Sequence, residues 1–451
     1  MNDNRGFSRK KWTVLILFGL IGQIAWAVEN MYFNLFIFYE VKPDLDAITL
    51  MVQLSGAVAT LATLVAGTLS DKVGNRRLFM SAGYVIWGVS VAIFGFLSPE
   101  FIGKLFSLDI SRAVSVALVT VIVADCVMTL FGSTANDAAF NAWVTDNTRP
   151  SFRGTVEGVL AVLPLVSMLI VVGGFGILSD AFGYTVTFLI LGIIITLSGI
   201  FGFFFVRDSR ELKKNGSFKD ILFGFKPSVV KSNAPLYITF LIVLIYGVAC
   251  QIFMPYLIIY MSASLGFSPL EYSAVFAIAI LVGAAVNIYL GRLSDRKEKS
   301  TLLYIAAGVM ALGLFSMYLS RGSGHATTLV LFGISGFVMI CGYIFVSALA
   351  GSMVRDFTPP ADAGKLQGVR MVFAVLIPML LGPMIGNAIN RARNIPLENA
   401  GADAMTTEYI PAPEIFLAAG LAILLVFALI PVLKRTVKET MDKKQKENQT
   451  I

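Results

Sequence analysis

The chain has 451 residues, of which 57% are hydrophobic and 14% charged, with a formal net charge of +7. Soluble domains carry about 25% charged residues, and surface-to-volume scaling gives a globule of this size too little interior to hide so much apolar surface. The composition excludes an ordinary soluble fold and puts the excess against lipid. The cysteines Cys126, Cys250 and Cys341 lie in apolar runs, as small buried hydrophobes do. They form neither a disulfide framework nor a metal-ligand pattern. The one histidine, His325, stands in a Gly/Ser loop, so no His-based catalysis or metal chemistry is in view.

A bilayer-crossing helix needs about 20 mostly apolar residues. The apolar runs here are continuous rather than alternating, which specifies helices. They fall near 12–39, 47–70, 78–97, 113–145, 155–178, 184–206, 235–261, 270–291, 300–320, 327–350, 366–390 and 412–434. The first run follows Arg9-Lys10-Lys11 and is too long for a cleaved signal peptide. The first and fourth exceed the hydrocarbon thickness and are expected to tilt or protrude. With the amino terminus inside, 29 of the 35 Lys and Arg fall in the inner segments and 6 in the outer ones. That split obeys the positive-inside rule and supports an even number of crossings. Both termini are therefore expected in the cytoplasm, the chain in the plasma (inner) membrane, and the positive charge to report topology rather than a nucleic-acid partner.

The charged segment after Arg207 divides the chain. The expected organisation is a six-helix bundle over 1–206, a cytoplasmic linker over 207–234, a second six-helix bundle over 235–434 and a cytoplasmic tail over 435–451. Internal similarity supports it. Gly67-Thr68-Leu69-Ser70-Asp71-Lys72 is echoed by Gly291-Arg292-Leu293-Ser294-Asp295-Arg296 at an offset of 224. Asn30 and Tyr39 match Gln251 and Tyr260 at 221, and Arg153-Gly154 matches Ala363-Gly364 at 210. Duplicated six-helix halves rocking about a central site are a recurring transporter plan.

The strongest motif is Gly67-x-Leu69-Ser70-Asp71-Lys72-x-Gly74-Asn75-Arg76-Arg77. The glycine permits close helix approach. The aspartate can cap a helix or pair with an arginine across a seam that forms in one conformation and breaks in another. Gly67, Asp71, Arg76, Arg77, Arg153, Asp295 and Arg296 are the candidate gating residues. A plain basic hairpin is the alternative, and the second copy counts against it.

Ionisable residues inside a membrane are costly, so they are functional candidates. The first span carries Gln23, Trp26, Glu29, Asn30 and Asn34; the fourth carries Asp125, Asn136 and Asp137. Glu29, Asp125 and Asp137 are the candidate ion-coupling residues, because a carboxylate in a low-dielectric cavity can load and release a proton. Each has a structural alternative, a carboxylate hydrogen-bonded to a neighbouring helix. Asp146 reads as a charge at the helix end. Arg153 and Glu157, four apart, can simply pair with each other, the alternative being a gating contact with Asp146 or Asp137. The second half is nearly uncharged inside, with Gln251, Tyr256, Asn287 and Tyr343. Gln23, Trp26, Asn30, Asn34, Gln251, Tyr256 and Asn287 are the candidate solute contacts.

The loop motif resembles the signature of the major facilitator superfamily. The resemblance implies an all-α integral membrane fold of twelve transmembrane helices in two pseudo-symmetric six-helix bundles. Within that superfamily, the Gly19-x-x-Gly22 span, Gln23-x-x-Trp26-Ala27, Leu54-Ser55-Gly56 and Asp137-x-x-Phe140 with Arg153 resemble the glycoside–pentoside–hexuronide cation symporters, a family of melibiose-permease and sucrose-symporter type. The chain departs from melibiose permeases in the second span, where Ala59 and Thr63 stand at the expected acid positions and no acid precedes Asp71. Ile24 replaces the sugar-binding aspartate of the first span.

The expectation is a proton-coupled symporter for a small polar solute such as a sugar or glycoside. It would work by alternating access as a monomer in the lipid bilayer, without a cofactor, with sodium as the alternative coupling ion. A proton-coupled exporter of lipophilic compounds is one rival, and a non-transporting receptor or scaffold is another. No nucleophile–base set, metal cluster or nucleotide loop points to an enzyme.

Overall fold

The computed structural model describes residues 8–148, 153–209, 222–294, 298–321, 324–359, 363–397 and 408–449. Among them, ten helices are long and apolar enough to cross a membrane. One of the ten, Val162–Phe205, has 44 residues. At about 1.5 Å per residue it is about twice the hydrocarbon thickness. It breaks at Gly183, whose φ of 78° and ψ of 161° belong to a region only glycine enters easily. It is therefore two crossings. A shorter apolar stretch, Pro269–Gly283, opens the helix Pro269–Ser294 and completes twelve.

We number them by crossing. The first half holds α1 (Arg9–Val41), α2 (Leu45–Val73), α3 (Arg76–Phe94), α4 (Ile110–Asn147), α5 (153–182) and α6 (184–205). The second holds α7 (Ala234–Ser264), α8 (Pro269–Ser294), α9 (Lys299–Leu319), α10 (His325–Phe357), α11 (Leu366–Arg393) and α12 (Glu414–Asp442). These follow the sequence reading except at the ends, where α10 and α12 run seven and eight residues further. A short helix, Pro99–Phe106, and a two-stranded pair, Ile395–Pro396 with Tyr409–Ile410, were not anticipated.

The repeat is visible in the packing. In the first half α1 packs on α5 and α6, α2 on α4, and α3 on α4 and α6. In the second, α7 packs on α11 and α12, α8 on α10, and α9 on α10 and α12. Each pair recurs with six added to both helix numbers. The halves meet through α2 with α11 and α5 with α8, which are also related by that shift. This is a twelve-helix membrane fold in two pseudo-symmetric bundles.

The outer surface is what a lipid solvent selects. Val116, Val119, Val123, Val127 and Leu130 form one exposed stripe on α4, and Ile190, Ile193, Ile194, Leu197 and Phe204 another on α6. Spacings of three and four place each set on one helix face. Exposed contiguous apolar surface of this kind marks contact with a membrane.

Candidate functional site

Two of the three acids expected to couple an ion, Glu29 and Asp137, sit where the helical repeat is disturbed, whereas Asp125 lies in regular α-helix. Glu29–Phe33 of α1 and Ser133–Phe140 of α4 are π-helical. A π-turn widens the helix by one residue and re-aims the side chains on it, and such turns concentrate at functional sites. Glu29 and Asn30 lie on the first, Asn136 and Asp137 on the second. Residue periodicity alone cannot reveal such a turn.

Glu29 is buried, with 7% exposure, and Asp125 is more so, with 1%. Ser55 Oγ of α2 and Thr129 Oγ1 of α4 lie 3.1 and 3.0 Å from Glu29 Oε1 and 2.7 Å from each other, so their two protons serve two of the three contacts at a time. Thr129 stands four residues after Asp125, so both face Glu29 from one side of α4. Three helices thus build a compact oxygen-lined site. Sequence reasoning did not single out Ser55 and Thr129 as partners of Glu29. Their signal was weak, because hydroxyls are common in membrane helices, but the four-residue spacing from Asp125 was readable.

The electrostatics are one-sided. Among the described residues the one buried basic side chain is Arg76, which is already committed near a helix end. Glu29 Oε2 and Asp125 Oδ1 have no protein hydrogen-bond partner among the described residues. Two buried carboxylates with no basic neighbour cannot both remain ionised at low cost. The site can therefore hold a proton or a cation. Asp137 is half-buried, one turn after Ser133 and about three turns along α4 from Asp125. The wall behind it is fixed. Asn136 Nδ2 donates to Tyr84 Oη over 2.6 Å, and Tyr84 donates to the Phe18 carbonyl over 2.6 Å. Gly22 lies against this pair, and a Cβ there would stand 2.6 Å from Tyr84 Oη.

The expected solute contacts separate into groups. Trp26 is half-buried and leans on Trp87 with ring centroids 5.0 Å apart, and its Nε1 has no partner among the described residues. Gln23 and Gln251 are half-buried. Asn30 is exposed and turns its amide back to the Trp26 carbonyl (2.7 Å). Buried Asn34 donates to the Asn30 carbonyl over 3.0 Å and leaves Oδ1 without a partner among the described residues. Tyr256 is fully buried, and its hydroxyl is occupied by Thr49 (2.7 Å) and the Pro383 carbonyl (2.9 Å). Asn287 lies on α8, but its side chain is outside the described residues.

The loop motif folds into a charge cluster within the first half. Gly74 ends α2 in the left-handed conformation with a φ of 66°, and Asn75 caps α3 by accepting from Leu78 N over 2.9 Å. The turn brings buried Arg76 against Asp71, Ser70 Oγ and Asp146, with 3.0 Å to Asp146. Arg77 N donates to Asp208 over 3.0 Å. The partner of Asp146 is thus Arg76. The side chains of Arg153 and Glu157 are outside the described residues, as are Asp295 and Arg296. A Cβ on Gly67 would meet nothing within 4 Å, so close helix approach is not required there in this conformation.

The family model described as Major Facilitator Superfamily matches residues 14–383. The chain belongs to the Major Facilitator Superfamily. Solved structures of superfamily-like shape agree over nearly the whole length. One of a mutant of the nucleoside transporter NupG superposes with a TM-score of 0.65 at 12% identity, covering 93% of this chain and 99% of that one. Another of NupG gives 0.62 at 15%, covering 95% and 100%. A bacterial homologue of the iron transporter ferroportin, in an outward-facing state with soaked iron, gives 0.61 at 14%, covering 94% and 98%. At these identities the likeness concerns the fold. No curated protein matches the chain by sequence. This superfamily member is a transporter by family rather than an enzyme.

Proposed function

We propose that the protein is a proton-coupled symporter of a small polar solute, such as a sugar or glycoside, working by alternating access. The observation that carries this reading is the Glu29–Asp125 site: two buried carboxylates, two hydroxyls, and no buried basic partner among the described residues. In a low-dielectric interior the pair is neutralised by a proton, and Asp137 extends the acidic wall. Trp26, Gln23, Asn30 and Asn34 lie on the same helix as Glu29 and carry the aromatic ring and amides that suit a hydroxylated ring, and Asn30 and Asn34 would join once their amides leave the backbone carbonyls they now serve. Gln251 and Asn287 would complete the solute contacts from the second half. Tyr256 would join only when its hydroxyl is released.

In the same reading both termini face the cytoplasm, because the basic loops crowd one side. The chain resides in the plasma membrane and is read as a relative of the glycoside–pentoside–hexuronide cation symporters, on the resemblance of its first, second, fourth and fifth spans. The bundles span 1–206 and 235–434, joined by 207–234, and one copy suffices for transport. Asp71, Arg76 and Arg77, with Arg153, Asp295 and Arg296, form the cytoplasmic gate.

The test is uptake by reconstituted vesicles across a panel of sugars, glycosides and lipophilic dyes under an imposed pH or sodium gradient. Accumulation of a polar solute that needs the pH gradient and collapses with protonophore is expected. Dye efflux without solute uptake would favour the exporter reading and overturn this one.

A further inference from the structure

At the end of the molecule where α2 begins, the halves are joined by a ladder that no sequence motif announces. Its rungs on α2 are residues 46, 49, 53 and 56, spaced three, four and three apart and so lying in one stripe. Asp46 Oδ1 accepts from Asn387 Nδ2 (2.5 Å) and from Tyr409 Oη (3.2 Å), while Oδ2 accepts from Arg391 (2.7 Å). Tyr409 Oη is also 2.9 Å from Asn387 Oδ1, so the loop after α11 is pinned into the same cluster. One turn deeper, Thr49 bonds Tyr256 Oη over 2.7 Å, and Tyr256 reaches the Pro383 carbonyl. Gln53 Nε2 donates to the Leu380 carbonyl over 2.8 Å. Gly56 lies against Met379, where an added Cβ would stand 2.6 Å from Met379 Cβ. The partners on α11 descend in step through 391, 387, 383, 380 and 379. Tyr39 and Ser262 add a flanking bond of 2.9 Å between α1 and α7.

The opposite end is organised differently. There Arg76 pairs with Asp71 and Asp146 inside the first half. Lys299 pairs with Asp356 (2.5 Å) and Lys434 with Glu298 (3.0 Å) inside the second. One end is tied across the halves, whereas these ion pairs at the other are tied within them.

We propose that Asp46 is the latch of a zipper between α2 and α11, and that releasing its bonds to Asn387, Arg391 and Tyr409 sets how often this end opens. The charged rung is outermost, where water can replace it first. The deeper rungs are neutral and part in turn. The proposal rests on the reading that the two halves rock against each other, and on nothing about the coupled ion or the solute. Asp46 and Arg391 side chains are 46% and 67% exposed. A pair this open, together with the hydrogen bonds its carboxylate accepts from Asn387 and Tyr409, shifts the open-to-closed ratio by about five- to twentyfold.

The test measures distance rather than transport. Spin labels go on Phe106→Cys and Leu270→Cys, two exposed positions in different halves at this end, with Cys126, Cys250 and Cys341 replaced by Ala. Pulsed electron resonance on the purified full chain then reports the separation without solute or ion gradient. Asp46→Asn is expected to move population to a longer distance by about five- to twentyfold in ratio. Asp46→Arg combined with Arg391→Asp is expected to return most of it. A distribution in Asp46→Asn that overlays the parent would overturn the latch. A charge swap no shorter than the single variant would overturn the role of the ion pair. A protein that fails proton-driven uptake yet shows the longer distance keeps the latch and loses only the coupling reading.

Discussion

Removing Arg76 isolates the work of the loop motif. Its guanidinium, 7% exposed, donates to Asp71, Asp146 and Ser70. The acids differ in exposure: Asp146 is at 26% and Asp71 at 44%. Losing one partner of a buried pair costs about 3–5 kcal/mol, whereas an exposed pair contributes about 0–1 kcal/mol. Asp146 lies nearer the first limit and Asp71 nearer the second. Arg76→Gln is therefore expected to destabilise the protein by about 2–4 kcal/mol, Asp146→Asn by about 1–2 and Asp71→Asn by under about 1 kcal/mol. Arg76→Lys keeps the charge but loses the fork that spans both acids, so it falls between the parent and Arg76→Gln. Thermal unfolding of the purified variants in one detergent gives the order. The reasoning fails if Asp71→Asn costs more than Asp146→Asn, or if Arg76→Gln unfolds with the parent.

Further outcomes follow from other sites. Gly183→Ala forces a Cβ into a φ of 78° and should cost about 1–3 kcal/mol in unfolding; an unchanged midpoint would mean that α5 and α6 join differently. Gly22→Ala overpacks the Tyr84–Asn136 wall and should cost about 1–3 kcal/mol by the same measurement; a neutral result would show that wall to be soft. Thr129→Val removes a donor to Glu29 and should lower both stability, by about 1 kcal/mol, and proton-driven uptake; uptake at parental rate would separate Thr129 from the site. Glu298, between α8 and α9, is held below the usual carboxylate range of 4.5, first by the Ser300 hydroxyl and then by Lys434. A depressed acid stabilises above its unfolded value and loses that contribution as pH falls. Lys434→Gln should therefore lower the unfolding midpoint at neutral pH and lose its effect as acidification protonates Glu298 in the folded protein; an effect that grows on acidification would contradict the assignment.

The fold was legible because lipid imposes a coarse rule. Long continuous apolar runs and one-sided Lys and Arg placed the twelve crossings with little ambiguity, and the echo of Gly67–Lys72 in the second half announced the repeat. The break at Gly183 was legible only as a gap between two runs. The site was half legible. Acids in apolar helices stand out, so Glu29, Asp125 and Asp137 could be named as candidates, and the structure buries Glu29 and Asp125. Their surroundings were not legible, because Ser55 and Thr129 are chosen by the crossing of α2 and α4 with α1, and π-turns break the periodicity on which such geometry is inferred. The Asp46 ladder was invisible for a related reason. Asp46 reads as an acid in the first turn of a helix, which the helix dipole alone explains, and its partners lie more than 340 residues away.

Solute-induced proton movement tests the central claim most directly. Vesicles with reconstituted protein, weakly buffered inside and carrying a pH dye, receive the transported solute without an imposed gradient. The account predicts that solute entry acidifies the lumen in the parent, and that Glu29→Gln and Asp125→Asn abolish the signal while the folded protein remains. Solute entry with no change in pH, or an undiminished proton signal in Glu29→Gln, would contradict it.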